Sequence, residues 1–166
     1  MCRDGIGSAG IKVRWFSGSQ PFDGILLSSG ILVEQGLFPK RLTLEVTTSV
    51  HPNDHLVRKL IDTGSPVFGP KGIEQDMKTG QIVSKPHVFQ NNERAMDLSN
   101  QILGSLKKKN TKHYPPDTIL IIDCVAGLID DTEWADAIGE VRSAELHRTF
   151  HEVFVWDLLR FRSATL

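Results

Sequence analysis

The chain has 166 residues, 40% of them hydrophobic, with 19 lysines and arginines against 20 aspartates and glutamates. That length suits one domain with a sizeable core, and a net charge of −1 excludes a global electrostatic pull on nucleic acid, so such a partner needs a local basic face. The two cysteines, Cys2 and Cys124, form neither a metal spacing nor a disulfide framework, no apolar run approaches the roughly 18 residues of a membrane span, and the first residues lack the order of a signal peptide. A soluble, cytoplasmic protein with no membrane partner is the expectation.

Residues 1–10 hold three glycines and no periodic pattern and read as an irregular N-terminal arm, which leaves 11–166 as a single domain. Ile11 to Phe16 alternates as a strand with one wet face. A turn at Ser17 to Pro21 delivers the chain to Phe22–Glu34, a second strand region bent at Ser28-Ser29-Gly30, and Gln35-Gly36 precedes a further strand from Arg41 to Val50. Leu56, Val57, Leu60 and Ile61 then mark the apolar face of a helix that Pro52 or Asn53 starts. From 63 to 90 the pattern dissolves into a long loop, with five glycines or prolines between Gly64 and Gly72 and a short hairpin of Ile82-Val83 against Val88-Phe89.

Asn91 or Asn92 caps a long helix to about Lys109, with Ala95, Leu98, Ile102, Leu103 and Leu106 along one side. Thr118 to Val125 is the most apolar run and reads as a strand buried on both faces. Asp130 and Glu133 form a capping-box signal for a helix to about Ser143, and Phe150 to Trp156 is the last strand. The fold class is α/β: antiparallel strands first, then helices and parallel strands, a mixed sheet flanked by helices.

A divalent-metal hydrolase needs oxygen ligands held a few ångströms apart, because Mg²⁺ or Mn²⁺ must bridge protein and phosphate while it polarises the phosphoryl group. Asp23 at the start of one strand and Glu45 inside the next meet that demand, and the backbone carbonyl of Val46 can supply another oxygen. The order of Pro21-Phe22-Asp23-Gly24, a hairpin, a strand holding Glu45-Val46-Thr47 and then a helix resembles the PD-(D/E)xK nuclease superfamily over roughly residues 11–157. The resemblance implies a restriction-endonuclease-like fold, Mg²⁺-dependent or Mn²⁺-dependent phosphodiester hydrolysis and a DNA or RNA substrate. It implies metal binding by Asp23, Glu45 and the Val46 carbonyl, and a catalytic position at Thr47.

The chain departs from that family in two places: no helix precedes the first strand, and Thr47 stands where the family carries its lysine. Lys12, Lys40 and Lys59 are the candidates to supply that amine from elsewhere. The basic cluster Lys107, Lys108, Lys109 and Lys112 suits either a helix C-terminus or contact with a nucleic-acid backbone.

Three further classes stay open on the sequence. A nuclease-like protein without the chemistry, binding or assembling with a protein partner, has the same core pattern, and dimerisation is compatible with it. Asp62-Thr63-Gly64-Ser65 resembles the aspartic-protease signature, and with one copy per chain it requires a homodimer. His51 and His55, and His147 and His151, have a spacing that can bind a transition metal. Cys124 reads as core, and no serine sits on a nucleophile elbow.

Overall fold

A computed structural model describes residues 10–18, 20–126 and 129–166; the proposed arm at 1–10, apart from Gly10, and Cys2 lie outside the described residues. Six strands form one mixed sheet in the order β1 (Gly10–Trp15), β2 (Gly24–Ser29), β3 (Arg41–Ser49), β6 (Thr118–Cys124), β7 (Glu152–Asp157) and β8 (Arg162–Thr165). The first three are antiparallel, β3, β6 and β7 are parallel, and β8 returns antiparallel. The connections are α1 (Ile31–Glu34), α2 (Asp54–Asp62), α3 (Glu93–Asn110) and α4 (Asp131–Ser143), with a hairpin of β4 (Ile73–Gln75) and β5 (Ile82–Ser84) between α2 and α3. The mixed α/β sheet with helices is thus present.

Strand alternation sorts the sheet into two unlike faces. Leu120, Ile122, Val153 and Val155 pack under the apolar stripes of α3 and α4, where Ala95, Leu98, Ile102, Leu106, Ala137, Ile138 and Val141 complete the main core. Leu42, Leu44 and Ile119, with Leu26, Ile121 and Phe154, form a second cluster built only of strand side chains on the other face. Thr43 and Glu45 pair with Thr118 and Leu120, so they stand on the helix side, while Leu44 and Val46 stand opposite. The alternation expected of residues 43–47 holds.

Local chemistry sets the ends of the helices. Asp130 accepts from the Glu133 amide at 2.9 Å while Glu133 accepts from the Asp130 amide at 2.9 Å, a complete capping box. Asn92 starts α3 in the left-handed region with φ 61°, which asparagine tolerates, and its side chain makes no cap bond. Asn53 precedes α2, but its amide instead donates to the Pro70 and Ile73 carbonyls, each at 3.1 Å, tying the 63–90 segment to the helix start.

Three sequence expectations change. Ile31–Glu34 is one helical turn rather than a strand, because Leu37 and Phe38 amides fold back onto the Leu32 carbonyl. The hairpin pairs residues 82–84 with 73–75 and leaves Val88 and Phe89 exposed, since the turn at Asp76–Gly80 closes it first: the Asp76 carboxylate accepts from the Lys78 and Thr79 amides at 2.7 and 2.8 Å. A strand also follows Trp156: buried Asp157 is paired at 2.9 Å by Arg162, whose guanidinium lies 4.8 Å from the Trp134 ring, and this ion pair draws β8 back onto β7.

Leu120 is wholly buried between α3, α4 and the sheet. Leu120→Ala is expected to lower stability by about 2–5 kcal/mol in urea unfolding; a loss near zero would show that this strand is not central.

The 63–90 segment is clasped to α3 by Lys71, which reaches Asp97 at 2.6 Å and Glu93 at 3.1 Å. The Gln90 amide and then Lys71 depress the Glu93 carboxyl from 4.5 to about 2, with His87 adding to the effect and desolvation opposing it. A depressed carboxylate contributes stability that is complete above its unfolded value and is lost as the pH falls. Glu93→Gln should therefore be less stable than the parent protein at neutral pH, and the gap should close between pH 4.5 and about 2. A gap independent of pH in urea midpoints would contradict the clasp.

Candidate active site

Where β2 begins, its ladder with β3 runs out: Gly24 pairs with Leu44, and one step further Asp23 stands opposite Glu45. The Asp23 amide still donates to the Leu44 carbonyl at 2.9 Å, but the next free amide of β3, that of Val46, has no strand partner on this side. The Asp23 carboxylate fills the vacancy, with Oδ2 accepting from the Val46 amide at 2.7 Å. In an extended strand the N–H and C=O of one residue point the same way, so the Val46 carbonyl faces Asp23 as well.

Glu45 is 4% exposed. A carboxylate at that depth requires compensation, and the end of α3 supplies it. The Lys109 amine donates to Glu45 Oε1, and the Tyr114 hydroxyl donates to the same oxygen at 3.0 Å. Burial first, then the Glu45 bond and the charges of Glu45 and Asp23, raise the Tyr114 hydroxyl well above its ordinary value, so it stays a proton donor. Both carboxylates thus act on one phenol, which gathers Asp23, Glu45, Lys109 and Tyr114 at the mouth of the β2–β3 pair.

The lysine missing from the strand therefore arrives from helix α3. Lys12, Lys40 and Lys59 stay exposed, and none of the ion pairs among the described residues includes them. Lys109 is turned inward and does not belong to an exposed basic cluster, whereas Lys107, Lys108 and Lys112 are exposed. A signal for this lay in the sequence: Ile102, Leu106 and Lys109 follow the helical stripe at spacings of four and three, so Lys109 continues the buried face that Lys107 and Lys108 leave. Thr47 lies half-buried on the same side as Glu45 and pairs with Ile122.

The other constellations do not assemble. Asp62 is the exposed last residue of α2, and the Thr63 hydroxyl donates to the Leu60 carbonyl at 2.9 Å, so Asp62–Ser65 closes a helix rather than following a strand. His51 Nδ1 accepts from the Asn53 amide, while His55 Nδ1 lies 2.9 Å from the Pro52 carbonyl, and the two rings serve different partners. Cys124 is 1% exposed, and burial, then the charges of Asp157 and Asp123, push its thiol up to about 12, which leaves it inert.

Among the described residues, no group of three or more histidine, cysteine or carboxylate side chains is placed to hold a metal. A hard cation would depend on two carboxylates and a carbonyl. Asp23 Oδ1 and Glu45 Oε2 make no hydrogen bond and are not sealed from solvent, and with the Val46 carbonyl they form an all-oxygen donor set that suits Mg²⁺ or Mn²⁺. No helix among the described residues is long and apolar enough to cross a membrane.

Compared with models of protein families, with curated proteins and with solved structures, the chain matches none. The class that fold and site define is therefore a mixed α/β domain carrying a carboxylate pair and a buried lysine at the start of β2.

With both side chains of the Glu45–Lys109 pair almost enclosed, at 6% and 12% exposure, removing one partner strands a buried charge. Lys109→Met should cost about 3–5 kcal/mol in urea unfolding, and adding Glu45→Gln should recover much of that loss. A single-variant loss below about 1 kcal/mol, typical of exposed pairs, would contradict the burial.

Proposed function

We propose that this protein is a metal-dependent phosphodiesterase acting on nucleic acid, similar in plan to the PD-(D/E)xK nucleases, with its lysine delivered by α3 instead of by the strand. One observation carries the reading: the Lys109 amine lies on Glu45, beside Asp23, although Thr47 occupies the expected lysine position. Two acids, a carbonyl and an amine then surround one point.

In this reading Asp23, Glu45 and the Val46 carbonyl hold the cation. Mg²⁺ or Mn²⁺ supplies the positive charge that polarises the phosphoryl group and acidifies the attacking water. The Lys109 ammonium positions that water or neutralises a nonbridging oxygen. Tyr114, kept protonated, holds Glu45 in place by donation. Water attacks phosphorus, the bond to the leaving oxygen breaks, and the leaving oxygen takes up a proton.

Register supports a route for the substrate. Lys12, Arg14 and Arg41 are exposed and share the sheet side of Glu45. Together with Lys107, Lys108 and Lys112 they can form the local basic face that a near-neutral chain needs to hold a DNA or RNA backbone.

A second reading is favoured by the double hold on Glu45 Oε1. Lys109 and Tyr114 satisfy that oxygen without a metal, as a structural ion pair would, which fits a catalytically silent protein that binds nucleic acid or a protein partner.

Cleavage of labelled single-stranded DNA, duplex DNA and RNA with Mn²⁺ separates the two. The proposal predicts cleavage that stops with chelator and with Asp23→Ala or Glu45→Gln, and that persists in Asp62→Ala. Lys109→Met should lower the rate about 10²–10⁴-fold while calorimetric Mn²⁺ binding survives. Mn²⁺ binding without cleavage of any substrate supports the silent reading, and no Mn²⁺ binding at all overturns the catalytic one.

A further inference from the structure

We propose that the helix-free face of the sheet is the interface of a homodimer. It lies on the opposite side of the sheet from Glu45 and is independent of the catalytic reading.

Register assigns the face without ambiguity. Val13 pairs with Leu26 and Leu26 with Leu42; Trp15 pairs with Gly24 and Gly24 with Leu44; Leu44 pairs with Ile119, Ile121 with Phe154, and Asp123 with Trp156. Paired residues share a side. A continuous apolar surface therefore runs from Trp15 on β1 across β2, β3 and β6 to Trp156 on β7. Its central cluster contains strand side chains only, while α3 and α4 pack on the other side.

Such a face is anomalous for a monomer. The strands β3, β6 and β7 are parallel, and parallel strands are ordinarily covered on both faces. Here Ile11 is 64% exposed, Val13 45%, Trp15 61% and Trp156 45%, all on this face. Apolar surface of this extent marks a contact site rather than ordinary surface.

Area and symmetry select a second copy. Six strands about 4.8 Å apart and about 20 Å long give a footprint of roughly 500 Å². Side-chain relief raises the accessible area of such a face toward the roughly 800 Å² that one partner contributes to a standard interface, with aromatic side chains where interface cores concentrate them. The two tryptophans stand four strands apart, about 19 Å across the sheet. A two-fold axis in the interface that bisects the line between them sets Trp15 of each protomer against Trp156 of the other, twice, over the aliphatic centre. Sheet-on-sheet packing at about 10 Å supplies the geometry. The cations of β1, Lys12 and Arg14, point away from this face, so they do not repel across the contact.

Sedimentation velocity at roughly 100 μM protomer, well above a micromolar Kd, is the test. The full chain should sediment at twice its 18.5 kDa mass and dissociate on dilution, with tryptophan emission moving to the red as Trp15 and Trp156 become wet. Trp15→Glu with Trp156→Glu should halve the mass. Ile11→Lys with Val13→Lys, at exposed positions on the edge strand, is a second variant pair, and circular dichroism confirms that each stays folded. Glu45→Gln should remain a dimer whatever the outcome of the cleavage assays. A monomer at that concentration overturns the proposal, and so does a dimer that both folded variant pairs leave intact.

Discussion

The carboxylate of Glu45 in the interior of β3 is the constraint on which the site depends. At 4% exposure it must be held by donors, and the donors come from 64 and 69 residues further along the chain, at the end of α3 and just beyond it. Satisfying it fixes where α3 ends against the sheet. It also fixes the turn through Tyr114 and Pro115, from which the Thr118 hydroxyl takes the Pro115 carbonyl at 2.7 Å and β6 begins beside β3. One buried charge thereby couples the antiparallel half of the sheet to the parallel half.

Two other ionic contacts organise what lies outside that centre. Asp157, fully buried, needs Arg162, and so the chain turns back after β7 and adds an edge strand. Lys71 needs Glu93 and Asp97, and so the 63–90 segment, with its own small core of Leu56, Leu60 and Ile73, is held against the first turns of α3. In each case the charged group is placed by a partner distant in sequence, and the local pattern around it is uninformative.

That difference explains what was legible in the sequence. The stripes of α3 and α4, the capping box at Asp130 and the alternation of 41–49 are local, and each produced the element expected. The strand at 162–165 was not legible, because Arg162-Ser163-Ala164-Thr165 has little apolar alternation and is held by Asp157 and by the Leu166 amide on the Val153 carbonyl at 3.0 Å. Ile31–Glu34 misled because its β-branched residues suit a strand, while Gly30 at φ 112° and the return to the Leu32 carbonyl make a turn. At the site, Asp23 and Glu45 could be paired from strand order alone. Lys109 was hidden among other lysines, although its position on the buried stripe of α3 distinguished it, and the only tyrosine of the chain had no local pattern to announce its role.

The proposed chemistry rests on whether the oxygens left open at Asp23, Glu45 and Val46 converge on one cation. The most direct test is amide NMR of the ¹⁵N-labelled protein during titration with substoichiometric Mn²⁺, since paramagnetic broadening falls steeply with distance. The Val46 amide, held by Asp23 at 2.7 Å, should broaden first, together with those of Asp23 and Glu45, and Asp23→Ala should abolish the effect. Broadening centred elsewhere, or uniform across the protein, would contradict a metal site at the start of β2.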